Sequence, residues 1–143
     1  MLIGVPKNLS PDILHLLNLM GHGDKVAIVD RNFPASSHTN RLCYSYGAGI
    51  APVLQSVLEV IPLDYAVEKP VQLMCVPAHI DYIPTVWEEY SRILQQAGYT
   101  ADRIEYLERP CFYECTTQCN FIIQTGETQR FSNIILQKGI ITD

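Results

Sequence analysis

The sequence is poor in charge, and what charge it has is not clustered. Only 17% of residues are charged, and ten Lys and Arg against fifteen Asp and Glu leave a net charge of −5. Nucleic acid and anionic membrane surfaces both call for a basic patch, so neither is the expected partner. No apolar run approaches the length needed to cross a bilayer. The start, Met1-Leu2-Ile3-Gly4-Val5-Pro6-Lys7, lacks the charged head and apolar core of a signal peptide. The five cysteines are odd in number and show no paired spacing, which suits a reducing compartment better than a disulfide framework. A cytoplasmic protein is expected.

Several motifs are absent too. Gly47-Ala48-Gly49 lacks the third glycine and the following Lys-Ser/Thr of a phosphate loop. Gly21-His22-Gly23 is not a nucleophile elbow, so serine catalysis has little support. His15, His38 and His79 form no H-x-H or H-x3-H pair. Cys111, Cys115 and Cys119 lie four apart and would share one helix face, where thiolates can hold a soft metal. Their spacing matches no C-x2-C pair or cluster pattern, and free cysteine is commonly just buried. No metal and no cofactor are expected.

What the chain does have is apolar content, 48% of its residues, over a length that suits one domain spanning 1–143. Ser10 can cap a helix that has Pro11 in its first turn and Asp12 at the positive end of its dipole. Ile13, Leu16, Leu17 and Met20 then recur at helical spacing, and Gly21 is placed to end the element. Val26-Ala27-Ile28-Val29 is a continuous apolar run, as expected of a strand buried on both faces. Phe33 to Ser37 reads as a loop, and Arg41 to Tyr44 as a short strand.

Ile50, Val53, Leu54, Val57, Leu58 and Ile61 form a second helical stripe ending before Pro62. Val71 to Val76 is the next strand, and a third helix runs from about Pro84 to Gly98. Asp102 to Glu108 fits strand or helix, and Phe112 to Gln118 fits a short helix. Phe121–Gln124 and Asn133–Gln137 read as strands joined by the turn Thr125-Gly126-Glu127. Helices alternating with apolar strands predict an α/β sandwich with a largely parallel central sheet flanked by helices.

Two groups of residues carry chemistry. His22 stands at the head of the first strand and Asp30 at its foot. A histidine gives and takes protons near neutrality. The bland alternative has His22 bonded to a carbonyl in the Gly-rich turn and Asp30 capping a loop. An extended segment sets the two roughly 20 Å apart at most, so direct contact needs a bend. The second group is Arg109-Pro110-Cys111-Phe112-Tyr113-Glu114, then Thr125-Gly126-Glu127, then Phe131-Ser132-Asn133. It offers a guanidinium, a phenol and an amide, the mixture a hydroxyl-rich ligand wants; read alone, an Arg–Glu pair and a packed tyrosine account for it better. Tyr44, Tyr46, Tyr65 and Tyr82 can stack on sugar faces or simply pack.

Taken together, Met20-Gly21-His22-Gly23-Asp24, Asp30 with Asn32-Phe33-Pro34, Phe112-Tyr113-Glu114, and Thr125-Gly126-Glu127 followed by Asn133-Ile134-Ile135-Leu136 and Lys138-Gly139 resemble the L-fucose mutarotase / D-ribose pyranase family over nearly the whole chain. The chain looks closer to the fucose branch, because Arg109 stands where ribose pyranases tend to carry a histidine. The resemblance implies an isomerase: cofactor-free interconversion of monosaccharide anomers by acid–base ring opening and closing. On that pattern His22 is the acid–base residue and Tyr113 a second proton-transfer group. Asp30, Arg109 and the Phe131, Ser132, Asn133 stretch hold the sugar, and Asp64 and Met74 line the pocket as in animal-type members. The family also implies a ring-shaped homodecamer with sites between neighbours.

Three positions depart from the pattern. Phe131 replaces a tyrosine, Tyr44-Ser45-Tyr46-Gly47 replaces Arg-x-Asp-Gly, and Cys115 replaces an arginine. The leading expectation is exchange of α- and β-L-fucose. Behind it stand pyranose–furanose exchange of D-ribose, a non-turnover sugar-binding accessory of uptake, and a thiol–metal protein.

Overall fold

The computed structural model describes residues 1–143. Six strands form one sheet: β1 (Lys25–Val29), β2 (Leu42–Ser45), β3 (Val71–Met74), β4 (Ile104–Leu107), β5 (Phe121–Thr125) and β6 (Ile134–Gln137), in the order β2-β5-β1-β6-β3-β4. β1 pairs in parallel with β5, β5 with β2, and β3 with β4; only β6 runs antiparallel, wedged between β1 and β3. The helices are α1 (Pro11–Leu19), the one-turn α2 (Ala35–His38), α3 (Ile50–Leu58), α4 (Val86–Gln96) and α5 (Arg109–Thr117). None is long and apolar enough to cross a membrane.

The central strands are buried because both faces are covered. Val26 and Ile28 of β1, Phe121 and Ile123 of β5 and Ile134 and Leu136 of β6 point into the larger core with α1, α3 and α4. The alternate residues Ala27, Val29, Ile122 and Ile135 meet Ala35 of α2 and Phe112 of α5 in a smaller core. Each fully buried branched side chain contributes about 1.5–3 kcal/mol, so the unbroken apolar runs are a packing requirement. α1 begins as expected, with the Ser10 hydroxyl oxygen accepting from the Ile13 N–H at 3.3 Å.

The structure departs from the sequence reading in four places. Ala35–His38 closes into one helical turn within the expected loop, with the Thr39 N–H bonded to the Ala35 carbonyl. The ambiguous stretch splits into a 3-10 turn, Ala101–Arg103, and the strand β4. α1 stops at Leu19, and the glycine with the left-handed backbone is Gly23, φ 85°, not Gly21. Finally, Thr125-Gly126-Glu127 is no hairpin turn, since β1 separates β5 from β6.

That last motif is a junction instead. The Thr125 hydroxyl donates to the Val29 carbonyl at 2.9 Å and accepts from the Glu127 N–H. The Glu127 carboxylate accepts the first N–H of α3, from Ile50, and those of Thr128 and Gln129. A carboxylate there also complements the positive end of the helix dipole. Gly126 fits because its N–H donates to the Ala48 carbonyl at 2.8 Å while its open face lies against backbone of Tyr46. An alanine methyl would press on that Tyr46 carbonyl, which cannot swing away. Gly126→Ala is therefore expected to lower stability by about 1–3 kcal/mol, the usual cost of overpacking, read as a fall in the urea unfolding midpoint with unchanged slope.

Candidate functional site

Because five strands point the same way, their carboxyl ends lie along one edge of the sheet, where open α/β sheets generally bind ligands. A cavity of about 270 Å³ opens there. Asp30 enters from the end of β1, Met74 closes β3, and Arg109 and Tyr113 stand on α5, which follows β4 directly. Because β6 runs the other way, the residues leading into it come to the same edge, and Phe131 and Asn133 line the cavity as well.

Each polar side chain is held by a specific contact. Asp30 is buried; its carboxylate accepts from the Asn32 N–H at 2.7 Å, and its own N–H donates to the Asn133 side-chain carbonyl at 2.7 Å. Burial pushes the Asp30 carboxyl above the ordinary carboxylate range, more than the bonds from Asn32, Asn133 and Phe33 pull it down. Arg109 and Tyr113 are four apart on one helix face. The guanidinium Nη2 donates to the phenol oxygen at 3.2 Å and its carbon lies 5.2 Å from the ring centre.

Tyr113 is fixed from behind by Phe33 and His38, whose ring centres lie 5.1 and 5.5 Å away. The Thr116 hydroxyl donates to the Tyr113 carbonyl, so it accepts from His38 Nδ1–H at 2.8 Å. Gln124 donates to the Phe33 carbonyl at 2.9 Å and ties down the loop after Asp30. The result is a compact pocket with a carboxylate, two guanidiniums, a phenol and three amides beside apolar Met74, Phe33 and Phe131. It suits a small ligand with several hydroxyls.

His22 and Asp64 are elsewhere. Both lie at the amino end of β1, with His22 Nε2 3.0 Å from Asp64 Oδ2. Asp64 is buried and also accepts from the Ala66 N–H at 2.9 Å and from Gln137 Nε2 at 3.0 Å. Burial opposes its ionisation, but the bonds from Ala66, Gln137 and His22 outweigh it and hold the carboxyl below the ordinary range. The His22 side chain remains 47% exposed. A larger hollow of about 610 Å³ adjoins this end, lined by Asp64, Tyr65, Tyr99 and the tail at Ile140 and Ile141.

A model of the RbsD / FucU transport protein family matches residues 3–141. The chain belongs to this family. Within it, the fucose mutarotase of Homo sapiens is 39% identical over 96% of this chain and 93% of its own length. The fucose mutarotase of Streptococcus pneumoniae, solved in complex with L-fucose, superposes with a TM-score of 0.95 at 40% identity, covering 99% of this chain and all of that one. The RbsD of Bacillus subtilis, complexed with D-ribose, shares the fold at a TM-score of 0.66 and 23% identity, over 94% of this chain and 95% of that one.

One chain of this RbsD / FucU member thus brings together Asp30, Met74, Arg109, Tyr113, Phe131 and Asn133, and leaves His22 and Asp64 at the far end of β1. With six residue steps from Asp24 to Asp30, the two ends are about 20 Å apart. Ser132 is fully buried beside the cavity and its hydroxyl donates to the Gln129 carbonyl at 2.7 Å. Arg130, Gln129 and Thr128 also line the cavity and carried no signal in sequence. Gln124 did carry one: a polar residue inside an otherwise apolar strand needs a buried partner. Of the three cysteines on and after α5, Cys111 is exposed, while burial pushes Cys119 up to about 12 and keeps it a thiol.

The raised Asp30 carboxyl has a consequence for stability. A carboxyl whose folded pKa exceeds its unfolded value of about 3.9 costs stability above both values and nothing well below them. Asp30→Asn, whose amide oxygen can still accept from Asn32, is expected to be more stable than wild type at pH 7. The two should converge as the pH falls toward about 4; urea midpoints measured across that range check the sign.

Proposed function

We propose that the protein interconverts the α and β anomers of L-fucose, without cofactor or metal, at sites shared between neighbouring copies in a ring-shaped homodecamer of the cytoplasm, each copy a single domain over residues 1–143. The observation that carries this reading is the cavity at the strand ends, where Asp30, Arg109, Tyr113 and Asn133 converge on a volume that suits one monosaccharide. Fucose mutarotases from two kingdoms at 39% and 40% identity support the choice of sugar.

Ring opening needs a proton taken from the anomeric hydroxyl and one delivered to the ring oxygen. The open aldehyde then turns and recloses from its other face. Asp30 accepts from sugar hydroxyls, Arg109 and Asn133 donate to them, and Ser132 sets the backbone beside Phe131. Met74 and Phe131 cover the less polar edge of the sugar. Tyr113, polarised by Arg109 at 3.2 Å, is the proton-transfer group within the pocket. His22 is the second. Its Nε2–H donates to the Asp64 carboxylate, which fixes the ring and leaves Nδ1 for proton transfer.

Since His22 and Asp30 occupy opposite ends of the sheet, a site containing both requires head-to-tail contact between copies. Such a contact is heterologous, and closing it makes a ring. Tyr65, Ile140 and Ile141, exposed around the hollow beside Asp64, offer apolar surface for a neighbour to cover.

Saturation-transfer NMR between the anomers of L-fucose tests the activity. His22→Ala is expected to slow exchange roughly 10²–10⁴-fold, the usual worth of a positioned acid–base group. A shared site adds a sharper outcome: His22→Ala and Arg109→Ala, each inactive, should regain about a quarter of wild-type activity when dissociated and reassembled together, because random mixing leaves that fraction of interfaces intact on both sides. A mixture that stays inactive would place the site within one copy. Exchange of ribose but not fucose would move the assignment to a pyranase, and sugar binding without exchange to an uptake accessory.

A further inference from the structure

One wall of the cavity is a single irregular stretch. Thr128, Gln129, Arg130, Phe131 and Asn133 supply five of its twelve lining residues. Phe131 has φ of 56°, the only non-glycine residue of the chain in the left-handed region. An aromatic side chain there is strained, and such a conformation persists only where the surroundings over-determine it.

The surroundings are the first turns of α4. The Trp87 indole Nε1–H donates to the Phe131 carbonyl at 2.9 Å, and the buried Tyr90 hydroxyl donates to the next carbonyl, Ser132, at 2.6 Å. The Gln129 side-chain carbonyl accepts from the Val86 N–H at 3.2 Å and the Thr85 hydroxyl at 3.3 Å. None of these four α4-side groups lines the cavity. They grip its wall from behind, and the indole bond falls on the strained residue itself.

We infer that Trp87 is a positioning residue which holds Phe131 in its left-handed conformation and so sets the affinity for the sugar; the inference deepens the proposed mutarotase reading and rests on it. Without the indole donor, Phe131 relaxes toward negative φ and its ring leaves the cavity wall. Binding weakens, while Tyr113, Arg109 and Asp30, held by other contacts, keep their geometry. The role belongs to affinity rather than to the proton transfers.

Trp87→Phe tests it, since it removes the donor but keeps an aromatic ring against Tyr106, whose centre lies 5.3 Å away. The expected result is a KM for L-fucose raised about five- to tenfold, the worth of one hydrogen bond, with kcat within about twofold. Phe131→Gly adopts positive φ without help. In that background, or in Phe131→Asn if the glycine variant folds poorly, adding Trp87→Phe should change KM less than about twofold. An equal factor in both backgrounds, an unchanged KM, or a loss confined to kcat would overturn the role. If wild type binds L-fucose without exchanging it, the mutarotase reading fails, and the same comparison made on Kd by calorimetry decides the positioning role. If wild type binds no monosaccharide, both fall.

Discussion

Lys25–Val29 runs antiparallel to Ile134–Gln137, with Ile28 opposite Ile134 and Lys25 opposite Gln137. Everything chemical in the molecule hangs on that register. At one end it sets Asn133 beside Asp30, so that the amide oxygen takes the Asp30 N–H; at the other it sets Gln137 beside Asp64, and Asp64 beside His22. A strand slipped by one residue would turn its core face to the wrong side. Here both faces of β1 and β6 are buried, which leaves no alternative register at tolerable cost.

The price of building a polar pocket on such a sheet is visible at its carboxyl edge. Asp30, Gln124, Thr125, Ser132 and Asn133 are all buried, and each has a hydrogen-bond partner. Satisfied buried polar groups rigidify a core, while a half-satisfied set would cost more than an apolar one. Asp30 bears the residual strain: its raised carboxyl is the mark of a charge kept where burial disfavours it. Asp64 is the counterexample, equally buried but given enough donors to stay ionised.

The departures from the family pattern lie at or beyond the margin of this polar network. Tyr44 lies on the edge strand β2 and Tyr46 in the turn just after it, both exposed, with ring centres 5.0 Å apart and the Tyr46 hydroxyl donating to the Gln124 side-chain carbonyl at 3.5 Å. Cys115 sits half-buried on α5. Phe131 alone faces the cavity, and there the backbone conformation, not a phenol, distinguishes the position.

Much was legible in the chain itself. Ser10-Pro11-Asp12 starts α1, the apolar runs mark the buried strands, and the helical stripes mark α3 and α4, because these signals are local and burial is strong enough to enforce them. Family order also picked out Asp30, Arg109, Tyr113 and Asn133, residues that converge across more than a hundred positions. Spacing could not show that β1 would separate β5 from β6, since strand order depends on which apolar faces pack together across the whole domain. Nor could it place Trp87 behind Phe131: that bond joins residues 44 apart and depends on an indole edge meeting a strained carbonyl. Local chemistry determined the elements and the candidate groups. The sequence already set His22 and Asp30 at the two ends of one extended run. The tertiary structure alone decided that Asp64 closes on His22 at one end while Arg109, Tyr113 and Asn133 gather about Asp30 at the other, because strand order and the packing of both sheet faces bring these distant residues together.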